Sequence, residues 1–308
     1  MKKSKCVLLF IFLLQSLILF AQVNKITKQE NVIYGMVSGA ALLMDIYQPS
    51  PSNHMGILVI PGSAYGYVYE DFYGQQELKT DYLQDSNYLG KWAQALAQDG
   101  YTVFVINHRF APAFHAPEII ADCRRAVRFI RFNAGKYAID SKKIGAFGHS
   151  SGASLSAFLG VSDTIIQNTE DPVERVSSKV QAVVTLAAPF DLSDFNKKAD
   201  TAIDNSFDLK MMESFMGELP PLNEDTFFLS GKYAAASPLA QVSKNAAPML
   251  IYYSDNDPLI PQRQAQNMYR KLRENGVPSK IIMTTQTGHT PLPDMNEVDT
   301  WFREYLKE

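Results

Sequence analysis

The pentapeptide Gly148-His149-Ser150-Ser151-Gly152 has the spacing of a nucleophile held at the tip of a sharp turn. A serine hydroxyl attacks a carbonyl carbon when a base takes its proton and fixed donors receive the charge that grows on the carbonyl oxygen. Small residues two positions to either side let the backbone double back, so that the Ser150 Oγ stands clear and the next N–H, that of Ser151, points at the same place. G-x-S-x-G is common as a bare pattern. Here it follows an apolar run at 144–147 and precedes a small, helix-compatible run at 153–159, which is the strand, turn and helix setting that the chemistry needs.

Hydrolases built on this turn place an acid and then a histidine further along the chain. The one histidine after Ser150 is His289, in Gly288-His289-Thr290, past the last strand pattern. Tyr253-Ser254-Asp255-Asn256-Asp257-Pro258 follows the preceding strand; Asp257 is the preferred acid and Asp255 its rival. Asp191, after the run 180–187, is a third candidate and reads more simply as a cap on the next segment. Donors for the oxyanion are expected from Pro61-Gly62-Ser63-Ala64-Tyr65, after the run 56–60: the N–H groups of Ser63 and Ala64, joined by that of Ser151. Tyr65, Tyr67, Tyr69, Phe72 and Tyr73 come next, as a platform for sugar or aryl rings or as the anchors of a partly buried loop. There is no G-x-G-x-x-G after a strand, no G-x-x-x-x-G-K-[ST], and no His, Cys and carboxylate cluster at ligand spacing, so neither a nucleotide cofactor nor a metal is expected.

The elements that must carry these residues alternate along the chain. Apolar strand-like runs recur at 56–60, 102–106, 144–147, 180–187, 249–253 and 280–284, and continuous apolar runs of this kind belong to strands covered on both faces. Between them, Leu89, Trp92, Ala93, Leu96 and Ala97 follow helical spacing, as do Ile120, Cys123, Val127, Ile130 and Ala134, then Ala265, Met268, Tyr269 and Leu272, then Val298, Trp301, Phe302 and Tyr305. The pattern predicts an α/β domain with a mostly parallel sheet between helices, preceded by an antiparallel hairpin from 32–38 and 41–47. The stretch 194–236 breaks the alternation. It carries a possible helix around Leu209, Met212 and Met216, and is expected to be a short lid-like insertion within a single domain spanning 22–308.

Lys2, Lys3 and Lys5, the apolar run 7–20 and the small Ala21 are the marks of a signal peptide over 1–21. As a membrane anchor the run is short of about 20 residues and is interrupted by Gln15 and Ser16. Export to a periplasmic or extracellular location is therefore expected, without a stable membrane anchor. The chain has 29 Lys and Arg against 32 Asp and Glu and no basic block, which argues against a nucleic-acid partner. Past the leader, Cys123 is the sole cysteine, so no internal disulfide is available; at an apolar helical position it is expected to be buried.

These motifs together resemble the α/β-hydrolase superfamily, and within it the carboxylesterases related to hormone-sensitive lipase and to the bifunctional feruloyl and acetyl esterases. Met44-Asp45-Ile46-Tyr47-Gln48-Pro49 is similar to the entry strand of that group, and His108-Arg109-Phe110-Ala111-Pro112, with Pro117 and Asp122, to its Y-R-L-A-P segment. Ala236-Ser237-Pro238-Leu239 and Asp257-Pro258-Leu259-Ile260-Pro261 resemble two further stretches. The resemblance implies a triad of Ser150, Asp257 and His289 and an oxyanion loop starting at Gly62. In that loop Ser63 and Ala64 stand where the group commonly has glycine. The resemblance thus implies an exported serine carboxylesterase acting on short-acyl esters, acetyl or feruloyl, on a small molecule or plant carbohydrate. An exopeptidase or an amidase of the arylformamidase type, or a non-catalytic binding protein of the same fold, are the alternatives.

Overall fold

The computed structural model describes residues 25–66, 88–196, 205–218 and 231–307. A sheet of eight strands runs through them in the order β1-β2-β4-β3-β5-β6-β7-β8. β1 (Lys25–Val37) and β2 (Ala40–Ser50) form the antiparallel hairpin, and β2 lies antiparallel to β4 (Thr102–Asn107). From β4 onward, β3 (Gly56–Ile60), β5 (Ile144–His149), β6 (Ala182–Leu186), β7 (Met249–Ser254) and β8 (Ser279–Thr284) are all parallel. This is the mostly parallel α/β sheet with a leading antiparallel hairpin that the alternating pattern predicts, and it agrees with the α/β-hydrolase fold that the resemblance implies.

The apolar runs are continuous because both faces of the central strands are covered. In β3, Ile57 and Val59 point into one core, with Ala93, Leu96 and Ala97 of α1 (Tyr88–Gln98) and Val298, Trp301 and Phe302 of α7 (Met295–Tyr305). Leu58 and Ile60 point into the other, with α2 (Ala116–Phe132), α3 (Ser151–Val161) and α6 (Gln262–Glu274). Two shorter helices, α4 (Asn205–Met216) and α5 (Gly231–Ala236), lie in the insertion. Cys123 is buried in the second core, where lost hydration raises its thiol pKa well above normal and leaves it a small apolar side chain.

The hairpin is longer than its apolar pattern suggests. β1 begins at Lys25 because its outer half is a polar edge held by the backbone ladder to β2, with register shifts after Gln29 and Ile33, so no alternation marks it. β6 is shorter than the run 180–187. Val180 instead gives its N–H to the Leu159 carbonyl, and Ala187 turns to φ 51°.

Parallel strands deliver their following loops to one edge of the sheet. Adjacent β3 and β5 bring 61–66 beside the turn at Ser150, and adjacent β7 and β8 bring the loop at 255–258 beside that at 285–289. The turn at Ser150 closes tightly. A Cβ on Gly152 would lie 2.2 Å from the Ile60 carbonyl oxygen, and one on Gly148 would lie 2.3 Å from the Gly152 carbonyl oxygen. Gly152→Ala is expected to cost about 3 kcal/mol or more, at the upper end for a methyl forced into packed backbone, read as a fall in the urea midpoint at unchanged slope. A midpoint within experimental error of the unmodified chain would show that the two elements separate freely.

Candidate active site

Ser150 sits between β5 and α3 with φ 53° and ψ −125°, outside the regions that side chains ordinarily adopt. Neighbouring bonds hold it there. Its N–H donates to the Leu186 carbonyl at 2.8 Å, and its own carbonyl accepts from Ala153 N–H at 3.0 Å and Ser154 N–H at 3.1 Å. The Oγ is left facing the loop after β8.

There, Nε2 of His289 lies 2.8 Å from Ser150 Oγ, and Nδ1 lies 3.0 Å from each oxygen of Asp257. An ionised carboxylate only accepts, so the imidazole proton sits on Nδ1 and the Nε2 lone pair faces the hydroxyl. The side chain of Asp257 is almost fully buried, and its Oδ1 also accepts from the N–H groups of Leu259 at 2.9 Å and Ile260 at 3.0 Å, which fix the plane of the carboxylate. The three side chains therefore form one line of hydrogen bonds able to move a proton off the serine.

Asp255 and Asp191 stand elsewhere. Asp255 Oδ1 accepts from Gln286 N–H at 2.7 Å, and Asn256 Oδ1 accepts from Gly288 N–H at 2.9 Å, so the loop carrying the acid also holds the loop carrying the base. Asp191 Oδ1 accepts from Ser193 N–H and Oγ, a local cap.

Of the three N–H groups expected to receive the oxyanion, that of Ser63 is engaged: it donates to Ser151 Oγ at 3.0 Å. This corrects its expected role, because a donor already bonded to a hydroxyl is not aimed at substrate. The N–H groups of Ala64 and Ser151 have no partner among the described residues. Ala64 (φ 48°) and Tyr65 (φ 60°) both adopt the left-handed conformation that explains the usual glycines here, at a cost of about 1 kcal/mol each. Packing holds them. Tyr65 is fully buried and stacks on Phe215 of α4, ring centres 3.6 Å apart, while its carbonyl accepts from Ala111 N–H at 3.0 Å. Ala111 is placed in turn by Arg109, whose guanidinium and N–H both bond to buried Asp122.

Tyr65 is thus an anchor of the loop and no platform for a ring; Tyr67, Tyr69, Phe72 and Tyr73 lie outside the described residues. Met211, Met212, Phe215 and Met216 of α4 are all buried in the main core, so this helix braces the oxyanion loop from behind. Residues 197–204 and 219–230 of the insertion, and 1–21 with the leader motif, lie outside the described residues. Among the described residues no helix is long and apolar enough to cross a membrane, and no group of three or more His, Cys, Asp and Glu side chains is placed to hold a metal.

With this geometry in place, comparison with known proteins is decisive at the family level. Residues 44–272 match the BD-FAE family model. The chain belongs to the BD-FAE family. Among curated relatives, esterase LipC of Mycobacterium tuberculosis is 26% identical over 198 residues, covering 64% of this chain and 45% of LipC. Endo-1,4-beta-xylanase B of Butyrivibrio fibrisolvens is 26% identical over 182 residues, covering 58% of this chain and 26% of that protein. The chain spans less than half the length of the curated relatives it matches. Among solved structures, a truncated carbohydrate esterase from gut microbiota superposes with a TM-score of 0.72 at 24% identity, covering 94% of this chain and 99% of that one. An acetyl ester-xyloside bifunctional hydrolase from Caldicellulosiruptor lactoaceticus gives 0.67 at 20%, covering 93% and 96%. At these identities the superpositions establish the fold. The BD-FAE match includes Ser150 and Asp257 and ends before His289.

Asp257→Asn is expected to lower kcat at least about a hundredfold, because the amide presents a donor where the imidazole N–H needs an acceptor. Asp255→Asn keeps an acceptor oxygen for Gln286 and is expected to stay within about fivefold. Steady-state kinetics on an activated ester decide between them, and equal losses would unseat Asp257.

Proposed function

We propose that this BD-FAE chain is an exported serine carboxylesterase that cleaves short-acyl esters, acetyl or feruloyl, carried by plant carbohydrate. The observation that supports the chemistry most directly is the 2.8 Å contact from His289 Nε2 to Ser150 Oγ, with Asp257 behind it. His289 takes the hydroxyl proton as Oγ attacks the ester carbonyl. The N–H groups of Ala64 and Ser151 receive the charge on the tetrahedral oxygen, and the imidazolium gives its proton to the departing alcohol. Water, deprotonated by the same imidazole, then releases the acid from the acyl-enzyme. Asp257 keeps the imidazole in the required tautomer and offsets its positive charge.

Several features support the substrate class. The structural neighbours include a carbohydrate esterase and an acetyl ester-xyloside hydrolase, and one curated relative is a xylanase. Met211, Met212, Phe215 and Met216 of α4 are buried in the core, so among the described residues these four offer no apolar wall for a long acyl chain. The acidic charge balance, which loss of Lys2, Lys3 and Lys5 deepens, gives no attraction to anionic lipid. Those three lysines and the apolar run after them support export.

Ser150→Ala is expected to abolish labelling by a fluorophosphonate probe and to remove at least three decades of kcat, while thermal unfolding stays cooperative. An unmodified chain that never labels would make it a binding protein. On a panel of acetyl, butyryl and long-chain nitrophenyl esters, acetylated xylan, a feruloyl sugar ester, an aminoacyl anilide and an N-formyl aryl amine, kcat/KM is expected to be highest on acetyl esters. Preference for an amide would assign a peptidase or amidase, and preference for long chains a lipase.

A further inference from the structure

We infer that His149, the residue just before the nucleophile, is a positioning residue that ties the base loop to the oxyanion loop and so sets where His289 stands relative to Ser150. The inference rests on the serine-esterase reading and assigns that site a fourth side chain.

His149 ends β5, and its ring is buried between the loops that follow β3 and β8, with Trp92 of α1 against it. Its Nε2 lies 2.9 Å from the main-chain oxygen of His289. Since a carbonyl only accepts, the ring proton is on Nε2 and the ring donates. Its other nitrogen, Nδ1, faces the oxyanion loop so closely that a Cβ on Gly62 would lie 2.6 Å from it and 3.0 Å from Ser150 Cβ. Trp92 of α1 meets the ring edge-on with centres 6.4 Å apart, and the His289 ring lies tilted against it at 5.2 Å. One imidazole thus touches the base loop through a hydrogen bond, the oxyanion loop through van der Waals contact, and the helix layer through an aromatic edge.

The ring is suited to this because it is held neutral. Burial above all, and then the neighbouring His289, pull its pKa down to about 3. A neutral imidazole adds no positive charge beside the imidazolium that His289 becomes during attack, yet still offers one directed N–H. His289 has its two ring nitrogens engaged by Asp257 and Ser150, and the turn before it is held by Asp255 and Asn256. Among the described residues, the bond from His149 is the hold on the main chain of His289 itself. Reacting groups displaced by about 1 Å lose on the order of a hundredfold in rate, so a loosened His289 should act on turnover and leave ester binding nearly alone.

The test compares the full chain with His149→Gln, whose amide carries an N–H at about the reach of Nε2, and with His149→Phe and His149→Met, which fill space without a donor. Turnover of p-nitrophenyl acetate and thermal unfolding are measured for all four. The apolar variants are expected to lose about 30-fold in kcat with KM within about threefold, while the Gln variant stays within about fivefold of the unmodified chain. Apolar variants as fast as the Gln variant, or a Gln variant as slow as the apolar pair, would overturn the inference. So would apolar variants that fail to fold while the Gln variant folds, since the donor would then hold the fold together rather than set the position of His289. An unmodified chain that neither turns over nor reacts with a fluorophosphonate removes the esterase reading, and the inference with it.

Discussion

The approach of α3 to the end of β3 governs the geometry of everything around Ser150. The Ile60 carbonyl and the Gly152 backbone are so close that a single methyl between them would lie 2.2 Å from the oxygen. Because they touch, the first turn of a fully buried helix lies beside the loop that leaves β3, where Ser151 Oγ accepts from the Ser63 N–H. The unusual dihedrals of Ser150, Ala64 and Tyr65 are the local expression of that closeness. They persist because neighbours on all sides, from Leu186 to Phe215, determine them from outside.

Electrostatics divides the work between two imidazoles whose centres are 5.2 Å apart. One faces a carboxylate and a hydroxyl and is partly open to solvent; the other faces carbonyl, glycine and indole and is buried. Identical side chains are therefore placed differently by environment alone, one between an acid and a hydroxyl, as the proposed function requires of a proton carrier, and one as a neutral donor. The loop after β7 shows a similar division. Two backbone N–H groups and the imidazole satisfy Asp257, while the adjacent Asp255 and Asn256 hold the opposing loop.

The sheet, the turn at Ser150 and the partnership with Asp257 and His289 were legible because each has a local signature: apolar runs bounded by turns, glycines at fixed offsets, an acid and a histidine after successive strands. What escaped was set by contacts distant in the chain. Nothing near Ser63 announces that its N–H is taken by the Ser151 hydroxyl, 88 residues away. Tyr65 has the composition of a ligand platform and the surroundings of a core residue, because its partner Phe215 comes from the insertion. His149 occupies a free position of the motif, so its type carries no signal until the His289 carbonyl is found beside it. The polar outer half of β1 is invisible for the opposite reason: its ladder is built from backbone, which every sequence has.

The bond between Ser150 and His289 joins residues 139 apart in the chain, whereas His289 and Asp257 are only 32 apart. A chain that has condensed as far as β5 and α3 holds a serine with ordinary alcohol reactivity, and the last two strands can pair their own acid and base without arming it. The partners of Ser150 are therefore in place only in the completed sheet, with the β7–β8 edge paired to β6. Under the proposed function, a chain lacking that edge would carry Ser150 as an ordinary alcohol, so reactivity toward esters would depend on the integrity of a sheet edge far from the serine in sequence.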